Sequence, residues 1–216
     1  MRMDFAFVRD RFPARDLTRA TAGFTLIELL AVTAIIVMVT GVTLAGNARY
    51  GGVILLQNLA YDIALSIRQA QVYGISVARF GQASFTSGYG IHFDTSNPTS
   101  YAIFADAITA DGLYTCPTPG ATSCELIDAP IISRGYKIKS LCAPAGESET
   151  CLTASAIDII FKRPEPDAWI SASGNSCELD HNLCMESARV IVVSPRGDTM
   201  SVIISAAGQI SVRHGN

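Results

Sequence analysis

The sequence has few residues of the kinds that carry enzyme chemistry. Among 216 residues there are three histidines, one tryptophan and 16% charged side chains. His92, His181 and His214 lie far apart without metal-ligand spacing, and the strand position of His92 favours a solvent-facing side chain over a ligand. No glycine-rich phosphate loop, nucleophile elbow or ordered catalytic triad is recognisable. We therefore expect that the protein is not an enzyme and has no metal centre or cofactor.

Positive charge is also scarce. The formal net charge is −3, and residues 24–216 carry 11 basic and 16 acidic side chains. A domain with this excess of acidic residues lacks the overall positive charge that binds nucleic acid. We therefore do not expect nucleic acid as a partner. A local basic patch could still bind DNA, and four residues could form it: Arg134, Lys137, Lys139 and Arg213. Such residues more commonly form the solvent-exposed face of a strand.

One long apolar run dominates the N-terminal part of the chain. Phe24 to Gly46 form 23 residues in which Glu28 is the single charged side chain. As a helix the run spans the ~30 Å hydrocarbon core of a bilayer. Five arginines and three aspartates precede it, a net charge of +2, so we expect its N-terminal end in the cytoplasm.

Two common kinds of segment are alternative interpretations of this run. A secretory signal peptide has an apolar region of about 7–15 residues followed by a small-residue cleavage site. Thr43 to Ala45 match such a site weakly, but the run is longer and contains Glu28. The other alternative is an uncleaved signal anchor. This interpretation does not explain Glu28, because an acidic side chain within a membrane span is energetically costly.

The segment GFTLIELL, residues 23–30, resembles the N-terminal signature of type IV prepilins and type II secretion pseudopilins. The resemblance implies that residues 1–23 are a cytoplasmic leader, which a prepilin peptidase removes after Gly23 before the new terminus at Phe24 is N-methylated. It also implies that Glu28 meets the Phe24 amine of a neighbouring subunit during filament assembly. We expect a single-pass protein of the inner membrane, with its C-terminal domain outside the cytoplasm, that later enters a filament.

Beyond the apolar run the pattern becomes amphipathic. Residues 24–46 are predicted as the transmembrane helix and 47–82 as its continuation, weakened by glycines near 41–52. Polar residues, among them Gln71, fall mostly off the stripe. The apolar stripe recurs every three or four residues and consists of Leu56, Leu59 or Ala60, Ile63, Ile67, Ala70 and Val77.

Residues 83–216 have the period of two that is typical of strands, separated by polar turns. We predict an α+β fold in which the long helix lies on antiparallel sheet. The helix, the segment YGIHFD and a closing meander resemble the pilin-like fold of H-type pseudopilins and of FimT- and FimU-type minor pilins. The predicted strands are 89–94, 100–106, a short one near Leu126, 131–140, 156–161, one around Trp169, 188–194, 199–205 and 209–213.

Six cysteines in an exported domain indicate disulfides. Fifteen pairings exist, and the most economical joins sequence neighbours across loops of 6 to 8 residues: Cys116–Cys124, Cys142–Cys151 and Cys177–Cys184. A zinc site at Cys177, His181 and Cys184 is a weaker alternative without a fourth ligand. Calcium at the acidic loops 94–97 or 106–111 is another, although neither loop has the spacing of a dedicated calcium loop.

These features favour a structural and assembly protein, a minor pseudopilin or pilin. The expected partners are the prepilin peptidase, other pilins through the N-terminal helix, the inner-membrane assembly platform and secreted cargo. The second hypothesis is a FimT-like minor pilin that binds DNA for uptake through Arg134, Lys137, Lys139 and Arg213. A third is a major pilin, which differs in abundance within the filament.

Overall fold

The structure is a computed structural model that describes residues 23–76, 87–117, 124–145 and 153–214, without the side chains of residues 45–50. The chain divides into two compact units, the first up to Gly46 and the second from Asn47. The protein is α+β, with an N-terminal apolar helix and antiparallel sheets, and this confirms the predicted class.

A single helix, α1, runs Leu26–Ile75 through 50 residues. It is continuous through the predicted weak segment at 41–52. In the first unit, Leu26–Leu44 form 19 exposed residues with a mean hydropathy of 2.3, long and apolar enough to cross a membrane. Within the described residues α1 ends at Ile75, just after the poor helix former Gly74, and the predicted continuation over 77–82 lies outside the described residues. Val77 lies outside the described residues.

In the second unit the helix contributes a buried stripe. Leu56, Ala60, Ile63, Ile67 and Ala70 are at most 1% exposed and belong to the same buried cluster as the strand residues. Their spacing of four, three, four and three residues keeps them on one helical face. The predicted stripe is therefore present, with Ala60 buried and Leu59 only partly buried.

In the part of the chain that the structure describes, ten strands form two five-stranded antiparallel sheets. The first has the order β3-β2-β1-β6-β7 and the second the order β10-β9-β8-β4-β5. The strands of the first sheet are β1 (Gly88–Asp94), β2 (Ala102–Asp106), β3 (Leu126–Asp128), β6 (Ala156–Phe161) and β7 (Ala168–Ala172). Those of the second are β4 (Lys137–Cys142), β5 (Thr153–Ala154), β8 (Ser187–Val193), β9 (Thr199–Ser205) and β10 (Ile210–His214).

The sheets supply alternate side chains to the buried cluster, as the period of two requires. The first sheet contributes Ile91, Phe93, Ile157, Ile159 and Ile170, and the second contributes Ile138, Leu141, Val190, Val202 and Ile204. A short 3-10 helix, His181–Leu183, follows β7, and the side chain of Asp180 accepts a hydrogen bond from the Asn182 amide at its start.

One predicted strand needs correction. The segment 131–140 is not continuous, because residues 133–136 form a turn and β4 begins only at Lys137. Arg134 and Gly135 both have left-handed backbone conformations, with φ of 61° and 77°. A strand cannot pass through two such residues. Ile131 keeps an isolated bridge to Ser100.

Candidate functional site

The predicted processing junction lies immediately before the helix. Gly23, Phe24 and Thr25 have no regular secondary structure, and α1 begins at Leu26. Gly23 is exposed, and the side chain of Phe24 is 80% exposed. The peptide bond between Gly23 and Phe24 is therefore outside the helical hydrogen-bond ladder.

Thr25 caps the helix at this junction. Its Oγ1 accepts a hydrogen bond from the Glu28 amide at 3.3 Å, and its carbonyl accepts one from the Leu29 amide at 3.1 Å. Thr25 followed three residues later by Glu28 has the residue pattern of a capping box. The sequence from Gly23 to Glu28 thus defines where the helix starts as well as where the cut is predicted.

Glu28 is exposed in the first turn of α1. A carboxylate there interacts favourably with the positive end of the helix dipole. Among the described residues, no cationic side chain lies within ion-pair distance of Glu28.

The hydroxyl groups of the apolar segment are satisfied within the helix. Thr33 donates to the carbonyls of Leu29 and Leu30, both at 3.0 Å. Thr40 donates to the Ile36 and Val37 carbonyls, and Thr43 to the Thr40 carbonyl. Because these bonds leave no unmet hydroxyl donor, the three threonines are compatible with a hydrocarbon environment.

Two of the predicted disulfides are present, Cys116–Cys124 and Cys177–Cys184. Cys142 is also disulfide-bonded, and its predicted partner Cys151 lies outside the described residues. The Cys177–Cys184 bond uses both sulfurs of the zinc alternative, which is therefore wrong. His181 instead lies with its ring centroid 4.9 Å from that of Trp169.

Residues next to the two disulfides, Tyr114 and Cys177, cover part of the outer face of the first sheet. The Tyr114 amide donates to Asp158 Oδ1 at 3.1 Å, and its ring lies 5.5 Å from that of Phe104. The Cys177 amide donates to Ser171 Oγ at 2.9 Å. Both faces of this sheet are consequently buried around β2, β6 and β7, which sequence periodicity did not indicate.

His92 belongs to this covered face, so its predicted solvent-facing position is wrong. Its side chain is 19% exposed, and Nδ1 is 2.7 Å from Oδ1 of Asp158. Its ring lies 5.0 Å from that of Tyr114. The outward register position holds, but the loop that carries Tyr114 covers it. His92 and Asp158 also lie directly opposite each other on β1 and β6.

A partly buried ionic cluster, missed from the sequence, lies beside the two disulfides. Lys162 Nζ lies 3.3 Å from Asp106 Oδ2 and forms an ion pair with Glu178. The buried Glu125 carboxylate accepts hydrogen bonds from four backbone amides, those of residues 107, 108, 109 and 115. These residues are 16 to 72 positions apart, so no local motif could have revealed the cluster.

Asp106 is the member of this ionic cluster whose carboxyl group has a raised pKa. Its side chain is fully buried, and Oδ1 has no hydrogen-bond partner in the described part of the chain. Burial raises the pKa of the Asp106 carboxyl to about 6, although Lys162 opposes the change and the Glu178 carboxylate adds to it. The site takes up a proton more readily than an ordinary aspartate does.

The two acidic loops bind their own backbone. Asp94 accepts hydrogen bonds from the amide and hydroxyl of Ser96; burial opposes ionisation, but these bonds outweigh it and lower the Asp94 pKa. Asp111 Oδ1 accepts from the Thr109 hydroxyl and the Leu113 amide. Within residues 23–76, 87–117, 124–145 and 153–214, no group of three or more His, Cys, Asp or Glu side chains has metal-binding geometry.

Three of the four predicted patch residues lie on strands of the second sheet. Lys137 and Lys139 are exposed on β4, with Lys139 at a register shift, and Arg213 is exposed on β10. Arg213 pairs with Ser201, which pairs with Ile191, which pairs with Ser140. Three strand spacings therefore separate the two ends of the patch, about 14 Å. Arg134 lies in the turn before β4.

The register of the second sheet adds Arg189 to this outer face. Arg189 lies on β8 opposite Ile203, and both are outside the buried cluster. The outward positions of β4, β8, β9 and β10 in the described chain include no acidic residue. They are Lys137, Ser140, Cys142, Ser187, Arg189, Ile191, Val193, Thr199, Ser201, Ile203, Ser205, Ser211 and Arg213, with the exposed Lys139 at the register shift of β4.

Comparisons with known protein families, curated proteins and solved structures give no significant match to this chain.

Proposed function

We propose that this chain is a minor pilin or pseudopilin, a structural subunit of a type IV pilus-like or type II secretion filament. The observation that carries the proposal is the junction at residues 23–28. There an exposed Gly23–Phe24 bond precedes a capped helix that has one carboxylate in its first turn and whose first 19 residues, Leu26–Leu44, are apolar enough to span a membrane. A plain membrane anchor needs neither the carboxylate nor this order.

Cleavage after Gly23 would give the carboxylate a partner. The new α-ammonium on Phe24 would lie beside the positive end of the helix dipole, where a cation is unfavourable. A carboxylate from an adjacent helix would neutralise it, and Glu28 of a neighbouring subunit is the group we assign to this role. In low dielectric such a pair fixes the stagger of neighbouring helices more than it adds net stability.

The test is incorporation into filaments when wild type and a variant are produced together with the assembly machinery. Glu28→Val should still be inserted and cleaved, but its recovery in sheared filaments should fall by about tenfold or more, which corresponds to about 1.4 kcal/mol. Glu28→Asp keeps the carboxylate and serves as the matched control. Equal recovery of Glu28→Val and wild type would exclude this role for Glu28.

The second candidate function is DNA capture by a FimT-like minor pilin. It is favoured by one observation, the outer face of the second sheet, on which Lys137, Lys139, Arg189 and Arg213 occur without a carboxylate at an outward strand position. This local charge contrasts with the net charge of −3 for the whole chain. Backbone contacts by such cations would bind DNA without sequence preference.

Filter binding of duplex DNA to the detergent-purified chain tests this candidate function. Binding should weaken linearly in log–log form as salt increases, and Lys137→Gln with Arg213→Gln should reduce the slope by about two. Arg163→Gln, outside this face, is the control and should leave the slope unchanged. Undetectable or salt-independent binding would rule DNA capture out.

A further inference from the structure

The second sheet ends in an edge strand that lies beside an apolar groove. β10 is the last strand in the order β10-β9-β8-β4-β5, and among the described residues nothing pairs with its other edge. The groove has a volume of about 440 Å³ and is lined on one side by the helix residues Tyr61, Leu65 and Arg68. Gly208, Ile210 and Val212 line the other side.

The hydrogen-bond register sets which backbone groups of β10 face the open edge. The Ser205 amide donates to the Gln209 carbonyl at 3.0 Å, and the pairing continues with Ser211 opposite Ile203 and Arg213 opposite Ser201. In an antiparallel ladder every second residue bonds to the partner strand. The amide and carbonyl groups of Ile210, Val212 and His214 therefore point away from β9.

On the helix side of the groove, large apolar side chains are exposed to solvent. The side chains of Tyr61 and Leu65 are 50% and 65% exposed, although they lie one turn apart on the same helical face. Ile210 and Val212 are only partly buried against the core. An unpaired edge next to exposed apolar side chains is the arrangement that β-strand addition uses.

Arg68 indicates the charge that a segment bound in this groove should carry. Its Nη1 donates to Gln71 Oε1, a neutral acceptor, and in the described part of the chain no carboxylate lies within ion-pair distance of its guanidinium. A guanidinium has five donors and pairs best with a carboxylate. The groove thus combines an apolar surface, a backbone edge and a cation without an acid.

We propose that this groove binds an extended segment of a partner protein, which adds a strand to β10, places alternate apolar side chains against Tyr61 and Leu65, and pairs a carboxylate with Arg68. The ladder would supply affinity, and the groove and Arg68 would supply selectivity. This docking surface is independent of the proposed processing at Gly23.

Fluorescence polarisation with a labelled synthetic peptide tests the proposal on the full chain in detergent micelles. The probe alternates threonine and valine and ends in glutamate. Two further versions of the peptide are N-methylated at alternate residues. In one version the amides along one edge of the bound peptide strand cannot donate hydrogen bonds, and in the other version those along the opposite edge cannot. Binding should be saturable at millimolar peptide, and one N-methylated version, but not the other, should lose at least about tenfold in affinity. No saturable binding, or equal binding of both versions, would overturn the proposal.

Variants of the chain locate the site. Leu65→Lys should weaken binding about tenfold, whereas Ile54→Lys, at a helix position that is also more than half exposed but lies outside the groove, should have no effect. Arg68→Gln should weaken the glutamate peptide about fivefold and leave a glutamine-ended peptide unchanged. A Leu65→Lys protein that binds as tightly as wild type, or an Arg68→Gln effect identical for both peptides, would contradict the assigned groove.

Discussion

Sequence periodicity placed the polar residue Gln71 off the apolar stripe of α1, on the solvent side. It is 2% exposed, and its Nε2 donates to the carbonyls of Pro166 at 2.8 Å and Gly208 at 3.2 Å. Both acceptors are far away in sequence, so the amphipathic pattern alone could not distinguish Gln71 from the exposed Gln69. The side chain connects α1 to the loop before β7 and to the β9–β10 turn.

Gln71→Ala should lower the free energy of unfolding of the second unit by about 1–3 kcal/mol, because it removes the Gln71 donor from the buried Gly208 carbonyl and from the part-buried Pro166 carbonyl. Gln69→Ala, whose amide bonds only to the exposed Tyr73 hydroxyl, should change it by less than about 0.5 kcal/mol. The single tryptophan, Trp169, lies in β7 and reports denaturant unfolding by fluorescence. Equal effects of the two changes would contradict this role.

Asp106 gives stability a pH dependence whose sign is set by its raised pKa. The carboxyl has a pKa of about 6 when folded and about 3.9 when unfolded. Its favourable contribution is therefore fully present below about pH 3.9 and is lost as the pH rises through about 6. Lys162, Glu178 and Glu125 are the charged groups that act on it.

The difference in free energy of unfolding between wild type and Asp106→Asn isolates this contribution. It should shift in favour of wild type by about 1–2 kcal/mol between pH 7.5 and pH 5, since asparagine does not titrate. Denaturant unfolding at a series of pH values measures it. Parallel pH profiles for the two proteins would show that Asp106 does not titrate as described.

At the scale of elements, two glycines of α1 have opposite surroundings. A Cβ at Gly51 would meet nothing within 4 Å, whereas one at Gly74 would lie 2.3 Å from the Phe161 carbonyl oxygen. The sequence indicated that glycines weaken the helix near 41–52, and the helix is nevertheless continuous there. The Tyr136 hydroxyl donates to the Gly52 carbonyl at 3.0 Å, a contact that only the folded chain reveals.

Gly51→Ala should raise the free energy of unfolding by about 0.5–1 kcal/mol, the helix-propensity difference between the two residues. Gly74→Ala should lower it, because the backbone of α1 would have to move away from β6. Thermal unfolding of the full chain in detergent, followed by circular dichroism, compares them. A stabilising Gly74→Ala would show that this close approach is absent.

Strands with clean alternation and polar turns could be predicted from the sequence. The bounds of β6 and β9 match the prediction fully, and those of β1 and β8 differ from it by at most one residue at either end. The turn at 133–136 could not, because Arg134 adopts φ of 61°, a conformation that its residue type does not signal. The loops over the first sheet were likewise hidden, since their contacts join residues that are distant in sequence.

At the scale of the whole molecule, the two units differ in whether their apolar residues are exposed or buried. The first unit exposes its apolar helical residues throughout Leu26–Leu44, whereas the second encloses its own buried cluster of helix and strand residues. Exposed apolar surface of that extent needs lipid or other helices around it. Sequence hydropathy predicted this contrast, while the pairing of strands into two sheets needed the structure.

The order of residues 23–28 remains the central element of the account. We propose that it serves first as a processing site and then as a helix start whose carboxylate pairs with a neighbouring subunit. Gly23→Val places a branched side chain at the residue before the cut and should leave the chain uncleaved, in the same membrane, with its leader attached.

The most direct test is the mass and N-terminal residue of the mature protein, isolated from cells that contain a prepilin peptidase. We predict a chain that begins at Phe24, carries one added methyl group on its amine, and is absent in the Gly23→Val variant. A mature protein that retains Met1, or one cleaved after Ala45, would contradict the account.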